Sequence, residues 1–310
     1  MGEAAPDSSS PTGQNKGAVI LGVSYTTTFL ALLFVTGRLF SRRRKLGKWA
    51  ADDYIVLFSA GLVTLATAFV TAAIAGGGGR HSSTLSQSQV QLVSVLILVG
   101  LTLGALSFTL TKIAVVILLI KLLHPSQCHT RVLWGLVGGN VLFMSVAGLV
   151  FFLQCMPPQA LWNQYIKHKC WDPVVATSLA TSASAFSALS DFYLALYPAV
   201  VLWSLDMNWR KKLALSVALG FGVCAGSVAI YKCTTVSNLN NRDDFTYTAT
   251  DVIIWATVEA NCVLIAACIP MLMPLLELWF GAYFLSRRTL RLQERGVSTT
   301  TWGETALTTV

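Results

Sequence analysis

Charged residues are scarce in this chain, and their scarcity decides its broad class. Asp, Glu, Lys and Arg make up only 12% of the 310 residues, against roughly 25% in soluble domains, whereas hydrophobic residues reach 54%. A soluble fold could not hide that much apolar surface, so an ordinary soluble enzyme or binding domain is excluded. The composition indicates a membrane protein.

Histidine is also rare, and the cysteines and histidines are not spaced as in a zinc site. The whole chain contains four histidines and seven cysteines, so we expect no metal centre. The formal net charge of +8 is distributed over short segments between apolar runs. This distribution argues against a nucleic-acid partner, because such proteins gather their basic residues on one surface.

Long apolar runs, by contrast, are abundant. Seven of them have about twenty residues or more, the length that a helix needs to cross the hydrocarbon core of a bilayer. They cover residues 17–37, 53–75, 90–119, 132–153, 177–203, 213–236 and 252–276. The sequence therefore predicts an all-α fold, a polytopic bundle of seven transmembrane helices. This membrane domain covers residues 17–280, between a short polar tail (1–16) and a basic tail (281–310).

The distribution of lysine and arginine predicts how the bundle is oriented. With the N-terminus outside, fifteen of these residues fall in the inner segments and six in the outer ones. Inner segments of membrane proteins carry the excess of positive charge. We expect an extracytoplasmic N-terminus, a cytoplasmic C-terminus, and a multi-pass protein in the plasma membrane or an endomembrane, with the lipid bilayer as its first partner.

Two cysteines lie in the longest predicted outer loop, residues 154–176. Cys155 and Cys170 would face the oxidising side of the membrane, where disulfides persist. Bridging them would close a loop of about 15 residues, worth roughly 3 kcal/mol if the bond acts by restricting the unfolded chain. We expect a disulfide here.

Apart from Asp53 and Lys232, which we place at the ends of their runs, three charged residues lie inside the predicted spans, where a charge is costly and is usually paired or functional. They are Lys112, Asp191 and Glu259. A rise of about 1.5 Å per residue puts Glu259 in the outer half, Asp191 near the middle and Lys112 toward the inner third. We expect Asp191 to pair with Lys112, and Glu259 to have backbone or neutral partners.

The helix that carries Asp191 has one narrow face of small and polar residues, typical of close contact between membrane helices. That face consists of Ser184, Ser187, Ala188, Asp191, Ala195 and Pro198. Three roles for the buried charges remain open. They form a structural ion pair that locks two helices, or part of a ligand-responsive switch, or an acid or proton carrier.

A series of short motifs occurs in order along the chain. They are Asp52-Asp53-Tyr54, Gly79-Arg80-His81, Thr111-Lys112, Cys155-x-Pro157 with Trp162 and Cys170, Asp191 with Pro198 and Trp203, Lys211-Lys212, Trp255 with Glu259, and Cys268-x-Pro270. Together they resemble the fungal rhodopsin-domain family of integral membrane proteins. That family includes the satratoxin-cluster type and the receptor-like proteins of plant-pathogenic fungi. The sequence departs from the family pattern at Lys232, where the pattern has an arginine.

The resemblance implies a seven-helix membrane fold and a connection with secondary metabolism. It does not imply light-driven chemistry, because a retinal protein of the microbial type has its Schiff-base lysine in helix 7. Residues 252–276 contain no lysine. We therefore expect neither retinal nor another cofactor.

Our functional hypothesis is a receptor-like sensor of a small, hydrophobic molecule, with a signalling partner on the cytoplasmic side. Its candidate ligand-binding and ion-pair residues are Lys112, Asp191, Glu259 and Trp255. The alternative is a membrane-embedded enzyme or transporter for a hydrophobic secondary metabolite. We favour a non-enzymatic role and assign no catalytic residue. Were the protein an enzyme of the acid/base type, Glu259 would be the candidate catalytic group.

Overall fold

The computed structural model describes residues 17–46, 50–79, 86–157, 161, 169–203, 209–238 and 251–272. The polar tail predicted for residues 1–16 and the basic tail predicted for 281–310 lie outside these ranges, as does the boundary between the membrane domain and the second tail.

The described part of the chain contains seven α-helices and one short β-ribbon. The helices are α1 (Gly17–Leu46), α2 (Ala51–Ala75), α3 (Gln87–Leu123), α4 (Gln127–Leu153), α5 (Pro173–Trp203), α6 (Trp209–Asn238) and α7 (Asp251–Leu272). Between α4 and α5, the two-residue strands β1 (Cys155–Met156) and β2 (Lys169–Cys170) pair antiparallel. The fold is thus almost entirely helical, as the sequence predicts.

Five of the described helices, α1 to α4 and α7, are long enough and apolar enough to cross a membrane. Helices α5 and α6 have similar lengths, but α5 carries the serine-rich face around Asp191 and α6 begins with Arg210, Lys211 and Lys212. Many large apolar side chains cover the outside of the bundle; Phe29, Leu142 and Val200 are among the most exposed. Such a surface suits lipid rather than water.

Most helices extend beyond the apolar runs that predicted them. Helix α1 continues nine residues past the predicted end at Gly37, through Arg38 and Arg42 to Leu46. Helix α3 begins at Gln87, where the backbone N–H of Ser86 donates to the side chain of Gln89. Hydropathy detects only the apolar part of a helix, whereas hydrogen bonding continues into its polar ends.

Consecutive helices run antiparallel and pack closely. Thr28 of α1 contacts Thr67 of α2 through their hydroxyls at 3.2 Å. Between α5 and α6, a Cβ at Gly222 would lie only 2.6 Å from that of Ala195, so the missing side chain permits this approach. Helix α7 runs alongside α1, where the amide of Asn261 donates to Thr27 and Thr28 at 3.2 Å.

The bundle therefore has two distinct ends. We call the one that holds the β-ribbon the disulfide end; helices α1, α3, α5 and α7 begin there. The opposite end, where α1 ends and α2 begins, is the arginine end, named for Arg38 and Arg42. The largest hydrophobic cluster includes side chains from α1, α2, α3, α6 and α7, among them Val35, Val63 and Leu264. Helix α7 thus packs within the bundle.

Candidate functional site

Lys112 and Asp191 meet at the centre of the bundle. Lys112 of α3 is fully buried, and its Nζ lies 2.9 Å from Oδ1 of Asp191 on α5. The same ammonium donates to the backbone carbonyl of Ser187 at 3.0 Å and to its Oγ at 2.9 Å. The structure thus brings together the two residues that the sequence predicts to pair.

The small face of α5 allows this approach. Ser184, Ser187, Ala188, Asp191 and Ala195 are all buried. Because these side chains are short, α3 and α6 come close enough for the lysine to reach both a carboxylate and a backbone carbonyl.

Glu259 pairs with Lys232, and the expectation of backbone or neutral partners for Glu259 is wrong. Lys232 of α6 forms a salt bridge with Oε2 of Glu259 on α7. The sequence interpretation placed Lys232 at a helix end, but α6 continues to Asn238. Lys232 therefore lies six residues, about 9 Å, inside that helix, while Glu259 lies about 12 Å inside α7. The two residues thus lie at similar depths, about 3 Å apart along the bundle, which a lysine side chain spans.

The two ion pairs are parts of one chain of contacts. Ser187 Oγ accepts from Lys112 and donates to Oε1 of Glu259 at 3.3 Å. We call the set Asp191, Lys112, Ser187, Glu259 and Lys232 the central charge network. It joins α3, α5, α6 and α7. Its two lysines balance its two carboxylates, as buried charges require.

An aromatic ring supports both lysines of the network. The Lys112 Nζ lies 4.3 Å from the centroid of Phe108, and the Lys232 Nζ lies 5.7 Å from it. Both distances fall within the range of cation–π attraction. Phe108 therefore gives the two cations an additional favourable contact.

Trp255 borders the Lys232–Glu259 pair. It precedes Glu259 by one turn of α7, and its ring centroid lies 4.8 Å from that of Tyr231 on α6. Tyr231 is about half exposed. An aromatic pair thus flanks the part of the network nearest to the disulfide end.

A second cluster of charges lies at the arginine end, and sequence reasoning missed it. Arg38 is fully buried and binds Asp52 at 2.6 Å and Asp53 at 3.1 Å. Arg42 binds the same two carboxylates at 2.8 and 3.0 Å, and Lys121 of α3 binds Asp52 at 2.7 Å. We call these five residues the arginine cluster.

The arginine cluster also holds α7. Arg38 Nη1 donates to the carbonyl of Ala267 at 2.6 Å, and Ser41 Oγ donates to the carbonyl of Met271 at 3.0 Å. Two aspartates at the start of an apolar run, Asp52 and Asp53, are typical of an N-terminal cap, and Asp53 does accept the backbone N–H of Ala50 at 3.1 Å. A better signal was available in the sequence. Two arginines one turn apart end α1, and two aspartates begin α2 a few residues later.

The predicted disulfide between Cys155 and Cys170 is present. The two cysteines face each other across the β-ribbon. The bond joins the end of α4 to the segment before α5. Of the other cysteines, Cys262 and Cys268 are buried in α7, and Cys128 and Cys224 are exposed.

A narrow crevice lies between α2, α3 and α7. Its lining is largely apolar and includes Val63, Val70, Gly100 and Ile253, with Thr67 and Thr257 as the polar members. Its free volume is about 20 Å³, room for about one water molecule. In this arrangement of the helices, a larger molecule enters only if at least one of these three helices moves.

The chain matches the family model described as the fungal rhodopsin domain over residues 37–278. It is 29% identical to "Fugralins biosynthesis cluster protein 2" of Gibberella zeae, in a match that covers 54% of this chain and 42% of the relative. It is 24% identical to a "SAT4 family membrane protein" of Emericella nidulans, over 72% of this chain and 56% of the relative.

A third relative is "Polyenoic acids biosynthesis gene cluster protein Ba17b" of Metarhizium anisopliae, 25% identical over 81% of this chain and 71% of the relative. The chain thus spans about half the length of the first two relatives that it matches. No solved structure matches it significantly. The family model covers most of the chain, and the helices are long and apolar; the chain belongs to the fungal rhodopsin domain family and is a multi-pass membrane protein.

Proposed function

We propose that this protein is a receptor-like sensor of a small hydrophobic molecule, built on seven transmembrane helices. One observation carries the proposal: helices α3 and α7 each contribute to both charge clusters. Helix α3 supplies Lys112 and Lys121, while α7 supplies Glu259 and the carbonyl of Ala267. A change at the centre of the bundle therefore has two stiff helices through which to reach the arginine end.

The switching element in this proposal is α7. Ala267 lies eight residues after Glu259, about 12 Å along one continuous helix. A ligand that enters between α7 and its neighbours, beside Trp255 or at the narrow crevice, displaces Glu259 relative to Lys232. Because Arg38 binds α7 at Ala267, the same displacement loosens the arginine cluster. A ligand drives this change only by binding the displaced arrangement more tightly.

The nature of the ligand follows from the lining of the crevice. Apart from two threonines, it is apolar, so we propose a hydrophobic molecule. Two of the relatives carry the names of biosynthesis cluster proteins, and we place this protein in secondary metabolism as well. It works without retinal in this proposal, because Asp251–Leu272 contains no lysine for a Schiff base.

The proposed orientation puts the arginine end in the cytoplasm, where a signalling partner would bind. Its support is the excess of lysine and arginine in the segments at that end. The disulfide at the opposite end suits the oxidising side of a membrane. In this proposal α5 and α6 cross the bilayer with the other five helices, because the buried charge of each, Asp191 on α5 and Lys232 on α6, is paired within the central charge network.

The sensing role is tested with a deletion strain that carries the wild-type gene, Glu259→Gln or, as a control on another α7 carboxylate, Asp251→Asn. Transcripts of biosynthetic genes and the metabolite profile are measured in the same cultures. A sensor predicts that transcripts change in the deletion and that Glu259→Gln fails to restore them, whereas Asp251→Asn does restore them. Unchanged transcripts in the deletion would contradict the sensing role.

A second candidate function is a membrane-embedded enzyme or transporter, and one observation favours it. Oδ2 of the buried Asp191 has no hydrogen-bond partner in the described part of the chain. Both carboxylate oxygens of Glu259, in contrast, already have partners. A free carboxylate oxygen in an apolar interior accepts a proton from a substrate, or delivers one. Accumulation of one precursor in the deletion, with unchanged transcripts, would support this alternative.

A further inference from the structure

Asn140 of α4 is a buried polar residue that the two charge clusters do not include. Its side chain is 1% exposed. Neither its Nδ2 nor its Oδ1 has a hydrogen-bond partner among the described residues. A buried amide normally finds partners, so each such exception calls for an explanation.

The packing of three helices places Asn140 at the level of the Lys112–Asp191 pair. Val116 of α3, Val137 of α4 and Leu194 of α5 belong to one hydrophobic cluster. Lys112 precedes Val116 by four residues, and Asp191 precedes Leu194 by three. Asn140 follows Val137 by three residues on a helix that runs the opposite way. Each polar residue thus stands one turn nearer to the disulfide end than this cluster.

Apolar side chains also enclose this polar layer on the side that faces the disulfide end. One turn further toward the disulfide end, Met144 packs against the cluster that contains Phe108. Beside Asn140, α4 approaches α5 so closely that a Cβ at Gly139 would lie 2.7 Å from the ring of Phe186. Asn140 and Asp191 therefore lie within about one helical turn of each other between two apolar layers.

The unused atoms of this layer define the group that they would bind. Asn140 offers the N–H groups of Nδ2 as donors and Oδ1 as an acceptor, and Asp191 offers Oδ2 as an acceptor. A hydroxyl group complements them, because its O–H donates to Asp191 Oδ2 while its oxygen accepts from Asn140 Nδ2. The neighbouring Lys112 disfavours a cation here, and the Asp191 carboxylate disfavours an anion.

We propose that Asn140 and the free oxygen of Asp191 form a binding site for a neutral hydroxyl group, supplied by water or by an alcohol on a hydrophobic molecule. The site does not depend on the sensing role, because it binds the hydroxyl whichever function the protein has. Water fits with three partners, since its second O–H also donates to Asn140 Oδ1. An apolar alcohol places its hydroxyl at the same point.

The experiment uses the full chain, purified into lipid nanodiscs, and has one arm for each source of the hydroxyl. X-ray radiolytic footprinting detects bound water, because radicals formed there oxidise Phe108, whose side chain is only 4% exposed. A long-chain alcohol that carries a diazirine detects the alcohol by cross-linking to α4 and α5, with the same diazirine chain lacking the hydroxyl as reference.

Asn140→Leu is the test variant, since it keeps the shape of the side chain and removes its polar atoms. Asn261→Leu is the matched control, because Asn261 is equally buried but its Nδ2 already donates to Thr27 and Thr28, so that only its Oδ1 has no partner among the described residues. We expect oxidation of Phe108 or alcohol-specific cross-links in the wild type. The signal should persist in Asn261→Leu and fall several-fold in Asn140→Leu.

Two results would overturn the proposal. One is a wild-type protein in which Phe108 resists oxidation and the alcohol cross-links no more than its hydrocarbon reference. The other is an undiminished signal in Asn140→Leu. If a variant fails to give monodisperse protein, the two measurements on the wild type test the proposal by themselves.

Discussion

The central charge network and the arginine cluster are both buried, but they are built from different chemistry. The central network uses two lysines, each a point charge that meets one carboxylate, and Asp191 keeps one oxygen free. In the arginine cluster, both aspartates are bound by the planar guanidinium groups of Arg38 and Arg42. Arginine forks fix geometry, whereas lysine contacts rearrange more readily. In the proposed sensor, this difference makes the central charge network the switch and the arginine cluster the clamp that holds the helices together.

Removing Arg38 from the arginine cluster should have the largest effect on stability. Arg38→Met leaves two fully buried carboxylates with fewer partners and frees the carbonyl of Ala267. Breaking a buried pair costs about 3–5 kcal/mol, and Arg38 binds two carboxylates that keep Arg42 as a partner, so we expect destabilisation near the upper end of that range and little folded protein. The measurement is the monodisperse yield and Tm in detergent. The exposed Arg44→Gln is the control, and equal yields of the two variants would refute the clamp.

Breaking the central network should cost less. Lys112→Met or Asp191→Asn should each destabilise by about 3 kcal/mol, because either change leaves one charge buried with its partner removed. The double variant should recover part of the loss, since it removes both charges. The three melting temperatures form a double-mutant cycle. Additive losses would show that Lys112 and Asp191 are not coupled.

The disulfide bond stabilises a third region, the end of the bundle opposite the arginine cluster. Cys155→Ser with Cys170→Ser should lower stability by about 2–3 kcal/mol, the value expected for opening a loop of this length. Reductant should reproduce the shift in the wild type and leave the double variant unchanged. The exposed, free Cys128→Ser provides the control. A wild-type Tm insensitive to reductant would argue against a stabilising bond.

The smallest effect on stability is expected when the central charge network is given an arginine, as in the arginine cluster. Lys232→Arg replaces a point charge by a fork opposite Glu259, so we expect a gain of up to about 1 kcal/mol in stability. The transcript response should weaken, because a more rigid ion pair resists displacement of α7. Tm and the transcript response are measured together, with Lys232→Gln as the destabilised reference. A higher Tm with a full response would contradict a switching role for this pair.

Depth along the helices was sufficient to predict some of these contacts and not others. Lys112 and Asp191 could be paired because both lie far inside long apolar runs, where a count of residues gives their level reliably. Lys232 was misplaced because hydropathy marks the apolar middle of α6 and not its true end. Its contact with Glu259 also relies on the reach of a lysine side chain, which a count of residues along the helix does not include.

The arginine cluster and Asn140 escaped prediction for a different reason. N-terminal capping of α2 accounts for Asp52 and Asp53 from the local sequence alone, so it does not indicate their partners on α1 and α3. Asn140 has no neighbour in the sequence that suggests a role. Only the packing of α3, α4 and α5 gives it one, by placing it in the same layer as Asp191. Contacts among three helices are set by tertiary structure, which single-sequence periodicity does not specify.

The link through α7 is the central claim, and a native cysteine reports on it. Cys268 is fully buried next to the carbonyl that Arg38 binds, and it lies nine residues after Glu259, about 13 Å along the helix. Maleimide labelling of Cys268, followed by mass spectrometry in the wild type and in Glu259→Gln, measures whether a change in the central network reaches the arginine end. Gly139→Ala, which strains the α4–α5 contact, is the control for general destabilisation. The account predicts faster labelling of Cys268 in Glu259→Gln but not in Gly139→Ala, and equal labelling rates in Glu259→Gln and the wild type would contradict it.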